Sequence, residues 1–471
     1  MDPDRPLRLD VPREEALEHA AKLVAEAWRS FDRARPEEPP LDERIKMLLG
    51  NALPEEPVSA HEALDDAARA LDESIAQPRP RYFAFIGSSG LEIGALADLL
   101  AATYDMNLAV DARAATMLEQ QAVRWVGDFV GYPAANGAFT SGGTISNVTA
   151  LAAARERALP GSRAAGLGGL RIAVYASSEV HYSITRAVEL LGIGSDQLRD
   201  IPIDEEHRMR PDLLAEALDR DLAAGVTPVA VVATAGTTLT GSVDPIAAIA
   251  DVCEERGVWL HVDGAYGLPA AAVDPDRFAG VARAHSVSVD AHKWLYVPKA
   301  CSVVLVRQER SLSEAFAHQE GYLPHQRHEL HAVDITLEYS RPLRALKVWL
   351  AFRAHGAAQF RGAIRRNLAE AVLLHREAEA RADFETFDAA PHLSIVPIRH
   401  VPAGVDDLDA HNQALADAIQ ADGRVYLASA LIQDRVWLRP CFVNYRTTEE
   451  DVLAVLDVAA ELGQTLADER R

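Results

Sequence analysis

A lysine, a histidine and a large aromatic residue follow a short alternating apolar segment in Ser286–Tyr296 (SVSVDAHKWLY). The chain holds only five lysines among its 47 basic residues, so Lys293 stands out from the background. A lysine amine condenses with an aldehyde once burial or neighbouring cations deprotonate it, whereas arginine stays charged. Lys293 is therefore a candidate for Schiff-base chemistry. Considered alone, it would be interpreted as a solvated lysine in a turn, because short motifs are weak signals.

A second motif, Phe139–Asn147 (FTSGGTISN), has the features of an anion site. Gly142 and Gly143 let backbone amides approach a phosphate, Thr144 adds a hydroxyl, and the following helix N-terminus favours negative charge. The motif matches neither the nucleotide P-loop nor the dinucleotide fingerprint. The alternative interpretation is an ordinary glycine-rich turn.

Three further segments carry polar residues that suit a flat, nitrogen-containing ring. In Gly257–Gly267 (GVWLHVDGAYG), Asp263 ends an apolar segment. An aspartate there can hold a protonated pyridine nitrogen, and the small Ala265 lets a ring lie close. Thr234 ends another apolar segment, and His181 stands between a predicted strand and helix. Lone histidines of this kind are more often structural than catalytic.

Apolar strands alternate with amphipathic helices from about residue 84 to 355. This pattern predicts an α/β fold with a mainly parallel sheet covered on both faces. The predicted strands are Ile172–Ala176, Val229–Ala233, Val258–Val262, Ser286–Val289 and Ser302–Val306. Because ligands bind at the carboxyl ends of such strands, the candidate residues are expected along one edge. A phosphate site, a ring site, a partner for a pyridine nitrogen and a reactive lysine together describe pyridoxal 5′-phosphate.

Two other regions flank this α/β domain (84–355). Residues 1–83 are predicted as helices with proline breaks, at 14–31 and Ala60–Ile75, that pack on another surface such as a second subunit. Residues 356–471 are predicted as a small α+β domain. It has helices at 357–382 and Asp406–Ala421, strands at Leu393–Ile398, Val425–Ala430 and Val436–Val443, and a last helix opened by Thr447–Glu450. Residues 161–170 are predicted as a surface loop.

Composition excludes several classes of function. A net charge of −23 argues against nucleic-acid and anionic-membrane partners. The three cysteines are too dispersed for a zinc site or a disulfide framework, and no metal is expected. The charged first residues and the lack of a long apolar run predict neither a signal peptide nor a spanning helix. A cytoplasmic protein is expected.

The motifs HVDGAYG and VDAHKW resemble those of the group II pyridoxal-phosphate-dependent amino acid decarboxylases, of the aromatic-L-amino-acid decarboxylase type. The resemblance runs from about Pro78 (PRPRYFAFIGSSG) through LEQQAVRWVGDFVGYP to LRPCFVNYRTTEEDV. It implies the aspartate-aminotransferase-like fold (fold type I) and a homodimer with active sites at its interface. It also implies decarboxylation by way of an external aldimine and a quinonoid.

The resemblance also implies a role for each candidate residue. Lys293 would carry the cofactor, Asp263 would pair with the pyridine nitrogen, and His181 and Ala265 would flank the ring. Thr234 would line the cofactor site. The phosphate would be held by Gly142, Gly143, Thr144 and His292.

Product and substrate depend on two more segments. By the same resemblance, Tyr322 in the polar loop 311–333 would protonate Cα, which favours an amine over the aldehyde of the oxidative relatives. Phe85, Ile86 and Ser88 match the substrate wall, and their apolar character favours an aromatic L-amino acid. The polar segment 104–107 (YDMN) leaves an acidic or diamino substrate open.

Three rival classes remain at this stage. An aminotransferase would use an arginine such as Arg439 for the α-carboxylate. A non-catalytic cofactor-binding protein would bind without turnover. A plain nucleotide-binding protein is the weakest rival, because its fingerprints are missing.

Overall fold

The computed structural model describes residues 8–37, 41–109, 111–318 and 332–469. Three helices come first: α1 (Arg13–Phe31), α2 (Glu43–Leu49) and α3 (Ala60–Asp72). The side chains of Asp42 and Ser59 cap α2 and α3 by accepting backbone N–H groups. Helices α1 and α3 match the predicted segments, whereas α2 was not predicted.

A seven-stranded sheet forms the centre of the molecule. Its strands are β1 (Asn136–Thr140), β2 (Ile172–Ser177), β3 (Leu198–Ile201), β4 (Thr227–Thr234), β5 (Trp259–Asp263), β6 (Ser286–Val289) and β7 (Ser302–Val306). They lie in the order β1-β7-β6-β5-β4-β2-β3. Only β7 runs antiparallel to its neighbours β1 and β6. The mainly parallel sheet of the predicted fold class is confirmed.

Helices cover both faces of this sheet. They are α4 (Glu92–Tyr104), α5 (Ala114–Val130), α6 (Gly143–Ala158), α7 (Ser162–Ala165), α8 (Tyr182–Leu190), α9 (Pro211–Ala223), α10 (Ile246–Arg256), α11 (Ala291–Trp294) and α12 (Ser311–Phe316). Strands β2, β5, β6 and β7 are buried along their whole length, as covering on both faces requires. Helix α6 is rich in alanine and buried for most of its length, so it lies directly against the strands.

The predicted loop 161–170 is wrong in part, because residues 162–165 form the one-turn helix α7. The Glu156 carboxylate accepts hydrogen bonds from the backbone N–H groups of Gly161 and Arg163, which stabilises this turn. Helix α7 ends at Gly166, whose φ is +74°.

The C-terminal region contains a second sheet. Its strands, β8 (Phe384–Thr386), β9 (Ile398–His400), β10 (Ser429–Ile432) and β11 (Arg435–Leu438), lie in the order β10-β11-β9-β8. Its helices are α13 (Ala345–Glu379), α14 (Leu408–Asp422) and α15 (Glu449–Glu469). Helix α13 bends at Gly356 (φ +72°). At the start of α15, the Thr448 backbone N–H donates to the Asp451 carboxylate, so the predicted capped start is present.

The three strand predictions in this region have wrong bounds. Residues 393–397 do not pair as a strand apart from one bridge at Ile395. Pro397 has no N–H to donate, and the Ser394 N–H donates to the Tyr266 hydroxyl of the large sheet region. Residues 425–428 pair only through an isolated bridge between Tyr426 and Tyr82, so β10 begins at Ser429. The strand predicted through Val443 ends at Leu438, two residues before Pro440.

Candidate active site

Three neighbouring strands end in polar residues at one edge of the large sheet. Thr234 at the end of β4 lies beside Asp263 at the end of β5, and Asp263 lies beside Ser288 of β6. Helices α6, α8 and α11 begin directly after β1, β2 and β6. The topology therefore brings the glycine motif, His181, Thr234, Asp263 and Lys293 to one edge, where α/β proteins bind ligands.

Lys293 lies in the single turn of α11, and its Nζ is 3.0 Å from Asp290 Oδ2. Aromatic side chains within and just after this turn fix it to the surrounding structure. The Trp294 ring stacks on Tyr266 with centroids 5.2 Å apart. Both the Trp294 indole N–H and the Tyr296 hydroxyl donate to Asn367 Oδ1 of α13. The amine is therefore presented by a rigid segment.

Asp263 is buried and receives three hydrogen bonds. Oδ1 accepts from the Ala265 backbone N–H and from the Ser288 hydroxyl, both at 3.1 Å. Oδ2 accepts from the Asn147 amide at 2.8 Å. Within the described ranges, none of these donors is cationic. A buried carboxylate without a cationic partner is costly, so Asp263 is suited to a cationic ligand.

His181 caps the start of α8. Its Nδ1 is 2.9 Å from Ser183 Oγ. Burial lowers the pKa of His181, the nearby Asp263 carboxylate opposes this shift, and Lys293 adds to it. The net effect favours a neutral imidazole that can lie against a ring without adding a charge.

The glycine motif sits where α6 begins. A Cβ on Gly143 would lie 3.0 Å from Asp290 Oδ2 and 3.3 Å from Ala265 Cβ, whereas one on Gly142 would meet nothing within 4 Å. Gly143 is thus required for close packing, and Gly142 leaves its backbone accessible. Thr144 is half-buried in the first turn of α6. His292 lies 2.8 Å from the Cys301 carbonyl through Nδ1, and burial is the main cause of its lowered pKa.

The residues present fit pyridoxal 5′-phosphate. Among the buried oxygens that have no hydrogen-bond partner in the described residues are two at this edge, Thr234 Oγ1 and Asp290 Oδ1. Buried polar atoms normally have partners, so these atoms indicate that a ligand belongs at this edge. The helix N-terminus, the buried carboxylate and the amine supply complementary groups for a phosphate, a ring nitrogen and an aldehyde.

The predicted substrate wall lies at the start of the large sheet region. Phe85 is 59% exposed and has a φ of +55°, whereas Ile86 packs against the main core. The buried Ser88 hydroxyl donates to the Val297 carbonyl at 3.0 Å. In the 104–107 segment, Asn107 Oδ1 accepts from the Ala109 backbone N–H. The predicted proton donor, Tyr322, lies outside the described residues.

Sequence reasoning missed Asn147, His261 and Asp290 as members of this site. Asn147 is one turn into α6 and touches Asp263 across 116 positions of sequence. Asp290 stands next to the recognised His-Lys pair, and this adjacency was the available signal. The Arg439 guanidinium is buried, and its Nη1 donates to the Phe85 carbonyl at 3.2 Å.

The fold and this edge define a fold type I enzyme that uses pyridoxal 5′-phosphate. Residues 42–400 match the family model of the pyridoxal-dependent decarboxylase conserved domain. The chain is 31% identical over 425 residues to the aromatic-L-amino-acid decarboxylase of Bacillus atrophaeus, covering 88% of this chain and 87% of that protein. The chain therefore belongs to the pyridoxal-dependent decarboxylase family, and it is a carboxy-lyase acting on an amino acid.

Two other similarities bear on cofactor and substrate. The chain is 34% identical over 360 residues to the L-2,4-diaminobutyrate decarboxylase of Rhizobium meliloti (strain 1021), covering 75% of this chain and 71% of that protein. The crystal structure of Oryza sativa TDC with PLP and tryptamine aligns with a TM-score of 0.89 at 25% identity, over 98% of this chain and 99% of that one. The family is confirmed, but its members act on more than one class of amino acid. Among the described residues, no helix has both the length and the apolarity to cross a membrane.

Proposed function

We propose that the protein decarboxylates an aromatic L-amino acid to its amine and CO₂. The observation that carries this proposal is the apolar wall, where Phe85 presents an exposed ring beside Ile86, and aromatic ligands are bound by such surfaces. The similarity to an aromatic-L-amino-acid decarboxylase over most of both chains supports the same substrate class.

Each residue at the sheet edge has a proposed task. The bound cofactor supplies an electron sink for the electron pair left when CO₂ departs. Lys293 would hold the cofactor covalently through its amine, which the amino group of the substrate would replace. Asp263 keeps the ring nitrogen protonated. His181 and Ala265 restrain the two ring faces, while Thr234 lines the site.

The phosphate and proton steps use the remaining residues. Gly142, Gly143 and Thr144 bind the phosphate at the start of α6, with His292 beside them. Tyr322 donates the proton to Cα that completes the amine. With Tyr322→Phe, product is expected to be diverted toward aldehyde, ammonia and peroxide, with dissolved O₂ as the oxidant and water supplying the aldehyde oxygen.

A homodimer is part of this proposal, with 1–83 packing on the second subunit, 84–355 forming the cofactor domain and 356–471 the small domain. The supporting observation is a row of exposed apolar side chains in and after the first helices: Met47 (68% exposed), Leu49 (68%), Leu53 (86%) and Leu71 (71%). Exposed apolar patches of this kind mark interfaces. A cytoplasmic location agrees with the three buried free thiols.

Arg439 favours a second candidate, a substrate with an acidic side chain. The residue is 4% exposed, and its Nε and Nη2 have no hydrogen-bond partner among the described residues. Among the described residues, its guanidinium donates one hydrogen bond, to the Phe85 carbonyl in the proposed wall. A buried guanidinium with free donors suits a carboxylate, either the α-carboxylate of any amino acid or a second acidic group.

A mass-spectrometric screen tests these candidates. Purified holoenzyme is incubated with pooled aromatic, acidic and diamino L-amino acids, and products lighter by one CO₂ are identified. An aromatic amine without peroxide is the expected result, and an acidic or diamino product would overturn the aromatic assignment. Aldehyde with peroxide would indicate the oxidative branch, and ketoacid-dependent amine exchange would indicate an aminotransferase. The Lys293→Ala variant serves as the blank.

A further inference from the structure

Asp263 stands at the end of a buried chain of hydrogen bonds. Asn147 Nδ2 donates to Asp263 Oδ2 at 2.8 Å, and Asn147 Oδ1 lies 3.0 Å from His261 Nε2. His261 Nδ1 lies 2.9 Å from the Ser286 hydroxyl, which accepts from the Trp259 indole N–H at 2.9 Å. We call this set, Trp259–Ser286–His261–Asn147–Asp263, the donor chain.

The donors in this chain point in one direction only. The Trp259 indole can donate but cannot accept, so the Ser286 oxygen must accept from it. At the other end, the Asn147 amide nitrogen faces Asp263, so Oδ2 of Asp263 accepts from it. The second amide hydrogen of Asn147 is directed to the Ser183 hydroxyl at 2.9 Å. Asn147 Oδ1 is therefore left as the acceptor for His261.

His261 completes the chain as a neutral ring. The residue is fully buried, and burial lowers its pKa to about 4. A neutral imidazole has one donor and one acceptor. Since Nε2 faces an acceptor, it carries the hydrogen, and Nδ1 accepts from the Ser286 hydroxyl. This assignment gives each contact of the chain one donor and one acceptor.

We propose that this donor chain is a positioning device that holds Asp263 as an ionised, acceptor-only carboxylate, so that the proton of the pair stays on the cofactor nitrogen. A proton on the Oδ2 oxygen of Asp263 would need an acceptor at the Asn147 position. Turning the amide over to provide one would put Nδ2 against the hydrogen of His261 Nε2. His261 would then have to change tautomer, leaving the Ser286 hydroxyl hydrogen without its present acceptor.

The inference rests on the proposed pairing of Asp263 with the cofactor, but it does not depend on which amino acid is the substrate. It assigns positioning roles to Asn147 and His261, neither of which is required to touch the cofactor. Ser288 and the Ala265 N–H contribute donors on the other oxygen of Asp263. The donor chain therefore adds one hydrogen bond to a carboxylate that these two donors already partly stabilise.

The test measures cofactor binding and the absorption band of bound pyridoxal 5′-phosphate, without substrate. Asp263→Asn supplies the reference spectrum for a site that lacks the carboxylate. Asn147→Leu removes a donor to a charged group, so the dissociation constant is expected to rise about 10- to 100-fold, with the band moving toward the Asp263→Asn reference. His261→Leu is expected to raise the dissociation constant by less, about 3- to 10-fold, and to shift the absorption band in the same direction.

A conservative variant distinguishes the loss of the His261 hydrogen bonds from the loss of its side-chain volume. In His261→Gln, the amide can donate to Asn147 and accept from Ser286, so a band close to the wild type is expected. His400→Leu is the matched control, because His400 is also buried (1% exposed) but lies in the C-terminal sheet. That variant is expected to keep the wild-type band and affinity.

Each possible failure has a distinct meaning. If Asp263→Asn keeps the wild-type band, the pairing of Asp263 with the cofactor is wrong. If Asp263→Asn shifts the band but Asn147→Leu does not, the donor chain is wrong. If the leucine variants fail to fold, Asn147→Asp tests the donor chain instead. An ionised carboxylate at position 147 cannot donate a hydrogen bond to Asp263. A wild-type band in Asn147→Asp would overturn the inference.

Discussion

The cofactor edge and the proposed substrate wall differ in how completely one chain satisfies them. At the cofactor edge, Asp263 has three donors and Lys293 is paired with Asp290. At the wall, Phe85 is 59% exposed and Arg439 keeps two nitrogens without partners among the described residues. The described residues thus already hold the amine and the carboxylate of the cofactor edge, whereas at the wall an exposed ring and two guanidinium nitrogens remain for a ligand to contact.

Removing the amine at the cofactor edge should have the largest effect. Lys293→Ala is expected to lower kcat/KM on the order of 10⁴-fold or more, since no other group can form the covalent link. Steady-state amine production measures the change. Lys299→Ala is the control, because that lysine is near the same edge but outside α11, and it is expected to retain most activity. Equal losses in the two variants would contradict the special status of Lys293.

The cofactor edge also depends on a buried ion pair beneath β1. Arg341 Nη1 lies 2.8 Å from Glu119 Oε1, with side chains only 1% and 7% exposed. Arg341→Met leaves the glutamate unpaired, and a loss of about 3–5 kcal/mol in unfolding free energy is expected. Denaturant unfolding measures it. The double variant Arg341→Met with Glu119→Met should recover much of the loss, and a double variant as unstable as the single one would contradict the account.

A buried acid behind the lysine turn should make stability depend on pH. Burial raises the pKa of Glu370 to about 7, and its carboxylate accepts from the Asn367 amide. The folded protein therefore binds this proton more tightly than the unfolded chain does. Stability from this group is present below the ordinary pKa and is lost as pH rises toward 7, by no more than about 3 kcal/mol.

Glu370→Gln tests this dependence. Relative to the wild type, the variant should gain stability as pH rises from about 4.5 to 7, measured by denaturant unfolding at several pH values. Glu379→Gln on the same helix is the control, since its side chain is 54% exposed. Parallel stability curves for the wild type and Glu370→Gln would show that the group is not protonated in the folded state.

A substitution at the proposed substrate wall should have a smaller effect, and that effect should be on substrate binding. Arg439→Leu is expected to raise KM about 10- to 100-fold through loss of a charged hydrogen bond, while cofactor affinity stays unchanged. Arg439→Lys keeps the charge but loses the planar donors. Its KM should lie between those of the wild type and Arg439→Leu. A loss of cofactor affinity in Arg439→Leu would place this residue with the cofactor edge and weaken the contrast.

Much of the central sheet was predictable because most of its strands are short apolar segments rich in valine and alanine, bounded by helices. Strands β6 and β7 begin and end where predicted. The edge residues were predictable because parallel strands bring their ends together. Asn147 and His261 were not, because they meet only across the fold. The strand expected at Leu393–Ile398 failed because Pro397 and the Tyr266 contact compete with strand pairing.

The central claim is that Lys293 carries the cofactor, and reduction of the holoenzyme with borohydride tests it directly. The pyridoxyl group is fixed on whichever lysine formed the link, and peptide mass spectrometry locates it among the five lysines. The account predicts modification at Lys293 alone. Lys299 is the most stringent competitor, because burial lowers its pKa. A pyridoxyl group on Lys299, or on no lysine of a protein that binds the cofactor, would contradict the account.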